Sequence, residues 1–324
     1  MTSKILYLFT RTPLHVGAGA SVGAIDQPIV RERHTGFPII PASALKGTFA
    51  DAWNDQLFEE KNDKQETRKV RVKADGTASE AAWLFGSDSD KHAAAGALQF
   101  SEARLLAFPI RSARGSFAWI TCPLILQRAV RDGVLRQQLV QAIPEPEDEQ
   151  AMFPLGKLNL ATTRNNQPLE QIVLEEYTFT RVGNDEAIRV GEALAGLFDD
   201  SVWWEIASRL VVLSNGMMSF FTQNACEVAQ HVRISDETGA AEGGALFNQE
   251  NVPSETLFYS VLHAFSGRSR AFQSKTPENA LDEFAKKIGN KVFQFGGDAS
   301  TGLGYCSVQL KDGVGLIAHD QKGM

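Results

Sequence analysis

Apolar residues recur along the chain in short runs, and polar or glycine-rich segments separate those runs. The first run covers residues 4–11 and places apolar side chains on both faces of an extended segment. A strand that is apolar on both faces is typical of the middle of a sheet. The run therefore predicts a central strand close to the start of the chain.

The later runs predict the remaining elements. Strands are expected over residues 37–40, 97–108, 117–125, 211–214, 231–234, 256–263, 291–295 and 305–310. Helices are expected from Ser43 to Trp53 and over 81–85, 124–143, 202–210 and 277–289. This β-α-β-β-α-β succession predicts an α+β fold, with a single ferredoxin-like (RRM-type) core that carries large insertions. We treat residues 1–324 as one domain.

Two segments depart from this regular pattern and are predicted to be insertions. Residues 55–80 are polar, charged and poor in aliphatic side chains, which favours a mobile insertion. Residues 154–195 alternate in part and contain the turn signal Asn165-Asn166-Gln167-Pro168, which indicates a projecting hairpin with its return strand over 172–181. A hairpin that only covers the sheet is the structural alternative.

Glycines concentrate in two distant segments, residues 12–19 and 295–305, which we expect to be structural partners. The second segment lacks the lysine of a nucleotide-binding P-loop, because Leu303 follows Gly302 and a strand follows in turn. Its small residues could still present N–H and hydroxyl groups to a phosphate. A plain tight turn is the more common role of such a segment. The candidate phosphate contacts are Gly296, Gly297, Ser300, Thr301, Gly302 and Gly304.

The helix after Pro41 is the second candidate phosphate site. Pro41 disfavours helix at the residue before it, and Ser43 can cap the helix that follows. Lys46 then falls in the first turn, where a cation opposes the helix dipole. An external phosphate bound at the same helix end would explain this placement. A solvated surface lysine is the alternative.

Composition limits the classes of protein to which the chain can belong. The chain has 324 residues, 43% hydrophobic and 22% charged, with a net charge of −7, and the charges are unevenly distributed. An acidic chain counts against a general nucleic-acid coat, although one face can be basic while the whole is acidic. The three cysteines form no CxxC pair, and no apolar run is long enough to span a membrane. These features favour the cytoplasm, with no membrane partner.

Several stretches together resemble a known family. They are LHVGAG (14–19), the loop with Ile25-Asp26, PIIPASALKGTFAD (38–51), LEEYTF (174–179), CEVAQHVRISDETGAAEGGALF (226–247), ETLFYS (255–260) and FGGDASTGLGY (295–305). The chain resembles the RAMP superfamily of CRISPR RNA-binding proteins and, within it, the backbone subunits of type III-B (Cmr) effector complexes. The resemblance implies a filament of several copies along a CRISPR RNA, with target RNA and other Cmr subunits as further partners.

The resemblance also implies roles for particular residues. Asp26 would be the catalytic residue that cleaves target RNA, with a divalent metal ion (Mg or Mn), although a lone loop aspartate is usually a turn residue. Arg31 would supply nearby positive charge and bind RNA, and Ser43, Lys46 and the 296–304 loop would flank the guide. The 154–195 hairpin would be a thumb, with Met152, Phe153 or Leu160 wedging into the duplex.

Two further residues are secondary catalytic candidates. His15 could contact RNA or orient the scissile phosphate, and its alternative is a satisfied, partly buried histidine at a strand end. Glu227 could help to hold a metal ion or a water molecule, and its alternative is a surface acid.

Three other functions remain open from the sequence. The chain could be a RAMP scaffold that binds RNA without cutting it, against which Asp26 argues. It could be a metal-independent endonuclease that processes CRISPR RNA, which the thumb-like insertion disfavours. A nucleotide- or sugar-phosphate enzyme is disfavoured by the missing P-loop lysine.

Overall fold

The computed structural model describes residues 1–19, 23–61, 66–87, 92–141, 143–164, 167–183, 185–235, 237–239 and 241–314. The strands are β1 (Thr2–Thr10), β2 (Ile39–Ile40), β3 (Phe58–Lys61), β4 (Thr67–Val70), β5 (Gly86–Ser87), β6 (Ala94–Ala95), β7 (Leu98–Phe100), β8 (Ala103–Arg111), β9 (Phe117–Thr121), β10 (Gln150–Ala151), β11 (Leu160–Arg164), β12 (Gln167–Leu174), β13 (Tyr177–Arg181), β14 (Leu210–Val212), β15 (Glu227–Ile234), β16 (Ala241–Asn251), β17 (Leu257–Ala264), β18 (Val292–Gln294) and β19 (Tyr305–Lys311). The helices are α1 (Ala42–Asp51), α2 (Glu80–Phe85), α3 (Pro123–Arg131), α4 (Gln137–Val140), α5 (Glu186–Ala195), α6 (Ile206–Arg209), α7 (Asn215–Asn224) and α8 (Pro277–Ile288).

The largest sheet has the strand order β14-β9-β8-β17-β1-β19-β18, with β2 beside β8 and β7 beside β17. Its central strands β8, β17, β1 and β19 are antiparallel to their neighbours. Residues Ile5 to Thr10 of β1 are all buried, as expected of a central strand. The α+β class predicted from the sequence is confirmed. Within the described ranges, no helix is long and apolar enough to cross a membrane.

An aromatic cluster joins α1, α8 and the last strands. The Phe49 ring of α1 lies 5.1 Å from Phe284 of α8, 5.1 Å from Phe293 and 5.5 Å from Phe295, measured between ring centroids. Edge-to-face pairs at such distances stabilise packing beyond simple burial. Phe295 directly precedes Gly296. The cluster therefore holds α1 against the start of the second glycine segment.

Three sequence-predicted elements are interrupted in the structure. The helix expected over 124–143 is wrong, because α3 ends at Arg131 and Gly133 has φ +76°, a conformation that favours glycine and ends the helix. The strand expected over 97–108 is two strands, β7 and β8. The strand expected over 117–125 ends at Thr121, since Pro123 begins α3.

The 154–195 segment forms part of a four-stranded sheet and a helix, whereas the sequence predicts a projecting hairpin. The return strand expected over 172–181 is wrong: β12 ends at Leu174, Glu175 turns with φ +51°, and β13 continues in a four-stranded sheet. Residues 186–195 form helix α5, which buries Val190 and Leu194.

The 55–80 segment contains an antiparallel pair, β3 with β4, among its described residues. Residues 62–65 of this segment lie outside the described residues. The mobility of the insertion stays a prediction.

Candidate functional site

The two glycine-rich segments lie side by side, as the sequence predicts. The Gly297 N–H donates to the His15 carbonyl at 2.9 Å, and the Gly304 N–H donates to the Pro13 carbonyl at 2.8 Å. Gly296 has φ +77°, and a methyl group there would lie 2.0 Å from the His15 carbonyl oxygen. Only glycine allows the backbones to approach this closely. The two segments therefore form one structural unit.

The members of the second glycine segment differ in accessibility. Gly296, Gly297, Ser300 and Thr301 are exposed, and Gly302 is half-buried. Gly304 is buried, and its N–H is used within the protein. A direct RNA contact at Gly304 is therefore wrong, because this residue joins the two segments beneath the surface.

Helix α1 presents both of its predicted contact residues to solvent. Ser43 and Lys46 are exposed. The capping role predicted for Ser43 is wrong: Pro41 is the N-cap, and no side chain caps the helix. Ser43 instead lies inside the first turn, and Lys46 begins the second. Their exposure leaves both side chains available to a ligand.

Asp26 is held by a reciprocal pair of hydrogen bonds to Asn248 on β16. The Asp26 N–H donates to Asn248 Oδ1 at 2.8 Å, and the Asn248 N–H donates to Asp26 Oδ2 at 2.9 Å. Asn248 Nδ2 also donates to the Ala24 carbonyl at 3.0 Å. The Asp26 side chain is exposed, and its Oδ1 has no protein partner within the described part of the chain. The loop thus presents one carboxylate oxygen in a defined position.

Gln249 and Glu250, which follow Asn248 in β16, contact the second glycine segment and Ile29. Gln249 is buried and donates from Nε2 to Asp298 Oδ2 in the second glycine segment, at 2.7 Å. Glu250 is also buried, and its Oε2 accepts from the Ile29 N–H at 3.1 Å. The triad Asn248-Gln249-Glu250 was missed from the sequence. Its signal is a run of polar residues inside an otherwise strand-like segment.

Arg31 is part of this scaffold and is not free to bind RNA. Its Nη2 donates to Glu250 Oε1 at 2.5 Å, and its Nη1 donates to the carbonyls of Gly36 and Thr222 at 2.7 Å each. The sequence-based assignment of Arg31 to RNA binding is wrong. Its donors satisfy a buried carboxylate and two carbonyls, which would be costly to leave unpaired.

His15 is buried, and its Nδ1 lies 2.7 Å from the Glu250 carbonyl oxygen. Since a carbonyl only accepts, Nδ1 carries a proton and donates to Glu250. A methyl group at Gly17 would lie 2.9 Å from Nε2. This geometry favours the satisfied, buried histidine over a direct contact with RNA.

Glu227 is exposed at the start of β15, on the opposite side of β16 from Asp26. It pairs with Asn251, three residues from Asn248, which separates the two acids by about 10 Å along the strands and about two strand spacings across them. Local desolvation of the carboxyl raises the pKa of Glu227, although the residue as a whole is exposed. The structure does not bring Glu227 and Asp26 together around one ion.

The donor set for a metal ion is sparse. Among the described residues, no group of three or more His, Cys, Asp or Glu side chains is arranged to hold a metal ion. The open Oδ1 of Asp26 still fits an ion that keeps most of its water shell, as Mg²⁺ commonly does.

The β15–β16 ribbon pairs with no other named strand and carries apolar side chains in solvent. The exposed fractions are 54% for Val228, 48% for Val232, 51% for Ile234 and 67% for Leu246. Val232 and Leu246 are direct partners across the ribbon. By contrast, two of the three predicted wedge residues, Met152 and Phe153, are buried, so those two assignments are wrong, while Leu160 is half-buried and stays a prediction.

Comparison with known proteins identifies relatives along almost the whole chain. The model of the RAMP superfamily matches residues 8–307. The CRISPR system Cmr endoribonuclease Cmr4 of Pyrococcus furiosus is 31% identical over 318 residues, covering 96% of this chain and 97% of the relative. The crystal structure of oligomeric Cmr4 from P. furiosus superposes with a TM-score of 0.64 at 25% identity, over 96% and 98% of the two chains. A chain of the type III-B Cmr-beta bound to cognate target RNA has the same fold, with a TM-score of 0.63 at 19% identity over 96% and 97%.

Proposed function

The chain belongs to the RAMP superfamily, and from this membership and the geometry of its site we propose that it is the backbone subunit of a type III-B CRISPR effector complex. Copies of the chain assemble along a CRISPR RNA with other Cmr subunits. Each copy cleaves the target RNA that pairs with the guide. The relative from P. furiosus, an endoribonuclease by name, supports this activity. The guide supplies sequence specificity by base pairing, so the protein need only bind backbone and shape.

The observation that carries the proposal is the clamped Asp26 loop beside the paired glycine segments. Gln249 connects the two, since it follows Asn248 in β16 and bonds Asp298 in the glycine segment. An element suited to phosphate contact and an exposed carboxylate are thus held on one strand. A scaffold that only binds RNA would not require the carboxylate to be positioned in this way.

The guide-binding surface combines α1 with the second glycine segment. Phe49 packs against Phe295, so helix α1, which exposes Ser43 and Lys46, is held against the start of the segment that exposes Gly296 and Ser300. Lysine, hydroxyl and backbone N–H groups are the usual partners of RNA phosphates. This surface therefore supports the guide-binding role inferred from the sequence.

In the cleavage step, the 2′-OH of the target attacks the adjacent phosphorus and the bond to the 5′ oxygen breaks. The hydrogen bonds with Asn248 keep Asp26 in place. The open carboxylate oxygen of Asp26 can then accept a hydrogen bond from the 2′-OH, or from a water molecule that takes the proton of the 2′-OH. A divalent ion held by Asp26 would supply positive charge to the developing phosphorane. The 5′ oxygen leaves with a proton from solvent.

We assign the thumb role to the β15–β16 ribbon in place of the 154–195 segment. Apolar residues inserted between bases can unstack them, and the ribbon exposes Val232 and Leu246 for such contact. Asn248 lies three residues before the end of β16, so a duplex that the ribbon displaces would meet the Asp26 loop.

Two finer assignments accompany this proposal. We place the core in the ferredoxin-like class, because β1, β8, β17 and β19 have the sheet order β19-β1-β17-β8 with α1 and α8 in the connections. We place the protein in the cytoplasm, since a reducing compartment would preserve its three free cysteines.

The test is cleavage of guide-matched RNA by the reconstituted complex, with Asp26→Asn and with Asp282→Asn as a matched control. Asp282 is an exposed aspartate on α8. We expect Asp26→Asn and EDTA each to abolish regularly spaced products while RNA binding persists. Unchanged cleavage with Asp26→Asn would refute the catalytic assignment and leave the chain as a scaffold. Cleavage that persists in EDTA would remove the metal ion from the proposal.

A further inference from the structure

A cavity of about 510 Å³ lies between the segment 31–39, strand β8 and helix α3. Five arginines and only two glutamates line it, although the whole chain is acidic. The arginines are Arg31, Arg33, Arg104, Arg128 and Arg131. A concave surface lined by one sign of charge concentrates ions of the opposite sign.

Each acid that lines this cavity pairs with an arginine: Glu102, whose side chain is 36% exposed, with Arg104, and Glu32 with Arg128. The Glu32 side chain is only 9% exposed and accepts from Arg128 Nη1 at 2.8 and 3.1 Å. Burial alone would raise the pKa of Glu32, but hydrogen bonds from Thr35 and Arg128, with the charges of Arg128 and His34, lower it. Glu32 therefore stays ionised and neutralises the inner arginine, while the outer surface keeps its positive charge.

Asp132 has the same role on the other wall. It accepts from Arg104 Nη1 at 3.0 Å, from the Tyr259 hydroxyl at 2.9 Å and from Arg131 Nε at 3.3 Å. One carboxylate thus serves two guanidinium groups. Arg131 is 63% exposed, and its two terminal nitrogens have no partner among the described residues.

Arg33 adds a further positive charge to the cavity. It is exposed and has no hydrogen-bond or ion-pair partner in the described ranges. Arg33 therefore offers a whole guanidinium group, and Arg131 its two terminal nitrogens, at a cavity whose other arginines are already fixed. Guanidinium groups bind phosphate oxygens through paired N–H donors.

One wall of the cavity is formed by the segment that connects the two elements proposed to contact RNA, the Asp26 loop and α1. The segment 31–39 joins the Asp26 loop to α1, and Ile39 lines the cavity two residues before the α1 N-cap. Ile39 is also the single apolar lining residue. A peptide partner would normally need an apolar anchor, so a ligand bound by charge alone fits better.

We propose that this cavity binds a backbone phosphate of RNA through Arg33 and Arg131, as a contact between the α1 surface and the Asp26 loop. The inference rests on the proposed function, because it takes RNA as the ligand. The phosphate could come from the guide or from the target, and the two sources can be separated by experiment.

The test compares the assembled complex of wild type with Arg33→Gln/Arg131→Gln. The control is Arg68→Gln/Arg189→Gln, which removes two arginines of similar exposure outside the cavity. Binding is measured against salt concentration with guide alone and with guide plus target. Loss of the one phosphate contact that the two arginines share is expected to reduce the slope of log affinity against log salt by about 0.7 per copy. A change with guide alone assigns the guide, and a change only on target addition assigns the target.

Further variants and outcomes test whether the positive charge of the two arginines binds RNA. Arg33→Lys/Arg131→Lys keeps the charges and is expected to restore the slope. Slopes equal to those of the control in both arms would overturn the proposal. A glutamine variant whose free chain binds guide with the salt slope of the control, but which fails to assemble with the other subunits, would overturn it in favour of an acidic protein surface. The salt slope reports RNA binding and needs no cleavage, whereas the Asp26→Asn test reports cleavage with RNA binding intact, so this test and that of the proposed function fail independently.

Discussion

Replacement of Asn248 by alanine separates the position of the Asp26 loop from the presence of its carboxylate. The change removes the bond from the Asp26 N–H at 2.8 Å and the bond to the Ala24 carbonyl at 3.0 Å. The bond from the backbone of residue 248 to Asp26 Oδ2 remains possible. The loop thus keeps its catalytic residue and its backbone bonds through Gln27 to β16 at 3.1 and 3.0 Å, and loses the two contacts of the Asn248 side chain.

The size of the effect follows from these bonds. A neutral hydrogen bond contributes about 0.5–1.5 kcal/mol net, and these two are exposed, so their joint loss amounts to about 1–2 kcal/mol. This corresponds to about a 5- to 30-fold smaller population of correctly placed loop. We expect the single-turnover cleavage rate to fall by that factor, with target binding unchanged, because the phosphate contacts lie elsewhere.

The assay uses the assembled complex at saturating guide and target. Asn224→Ala is the matched control, since Asn224 is an exposed asparagine whose Nδ2 donates to the Phe220 carbonyl at 2.8 Å. A full wild-type rate in Asn248→Ala would refute the positioning argument. An equal loss in Asn224→Ala would show that the effect is a general one on stability.

Three other changes test separate parts of the structure. Gly296→Ala is expected to lower the melting temperature and guide affinity far more than Gly302→Ala, because a methyl group meets a carbonyl oxygen at 2.0 Å in the first case and open space in the second; equal effects in melting and binding assays would contradict the close approach. Gln249→Leu leaves Asp298 without its partner and is expected to cost about 1–3 kcal/mol by denaturant unfolding and to weaken guide binding; unchanged values would show that this tether is dispensable. Glu32 has a lowered pKa, so it stabilises the fold above its ordinary value of 4.5 and this stability is lost as pH falls. Glu32→Gln should therefore weaken the acid dependence of stability in melts from pH 7 to pH 3, and an unaltered dependence would contradict it.

The sequence predicted those features that depend on local pattern. The central strand β1, helix α8 between Pro277 and Gly289, and the pairing of the two glycine segments follow from apolar alternation, capping residues and glycine spacing. The exposure of Lys46 also agrees with its polar position on α1.

Features that depend on distant contacts could not be predicted. Arg31 looks like a free cation in the sequence, but Glu250, 219 residues away along the chain, pairs with it and neutralises its charge. The helix expected over 124–143 follows an apolar pattern that does continue, and one residue at positive φ ends it. Asn248 belongs to a visible run of polar residues, but the run does not reveal its partner, because the Asp26 loop lies far from it in sequence.

The triad on β16 also limits how the ribbon can be altered by protein engineering. Successive side chains of a strand point to opposite faces, so a shift of one residue would turn Asn248, Gln249 and Glu250 away from all their partners at once. Shortened or lengthened variants of the ribbon should therefore add or delete matched pairs, one residue from each strand. A library built on single-residue deletions in β16 would mostly lose guide binding and cutting together.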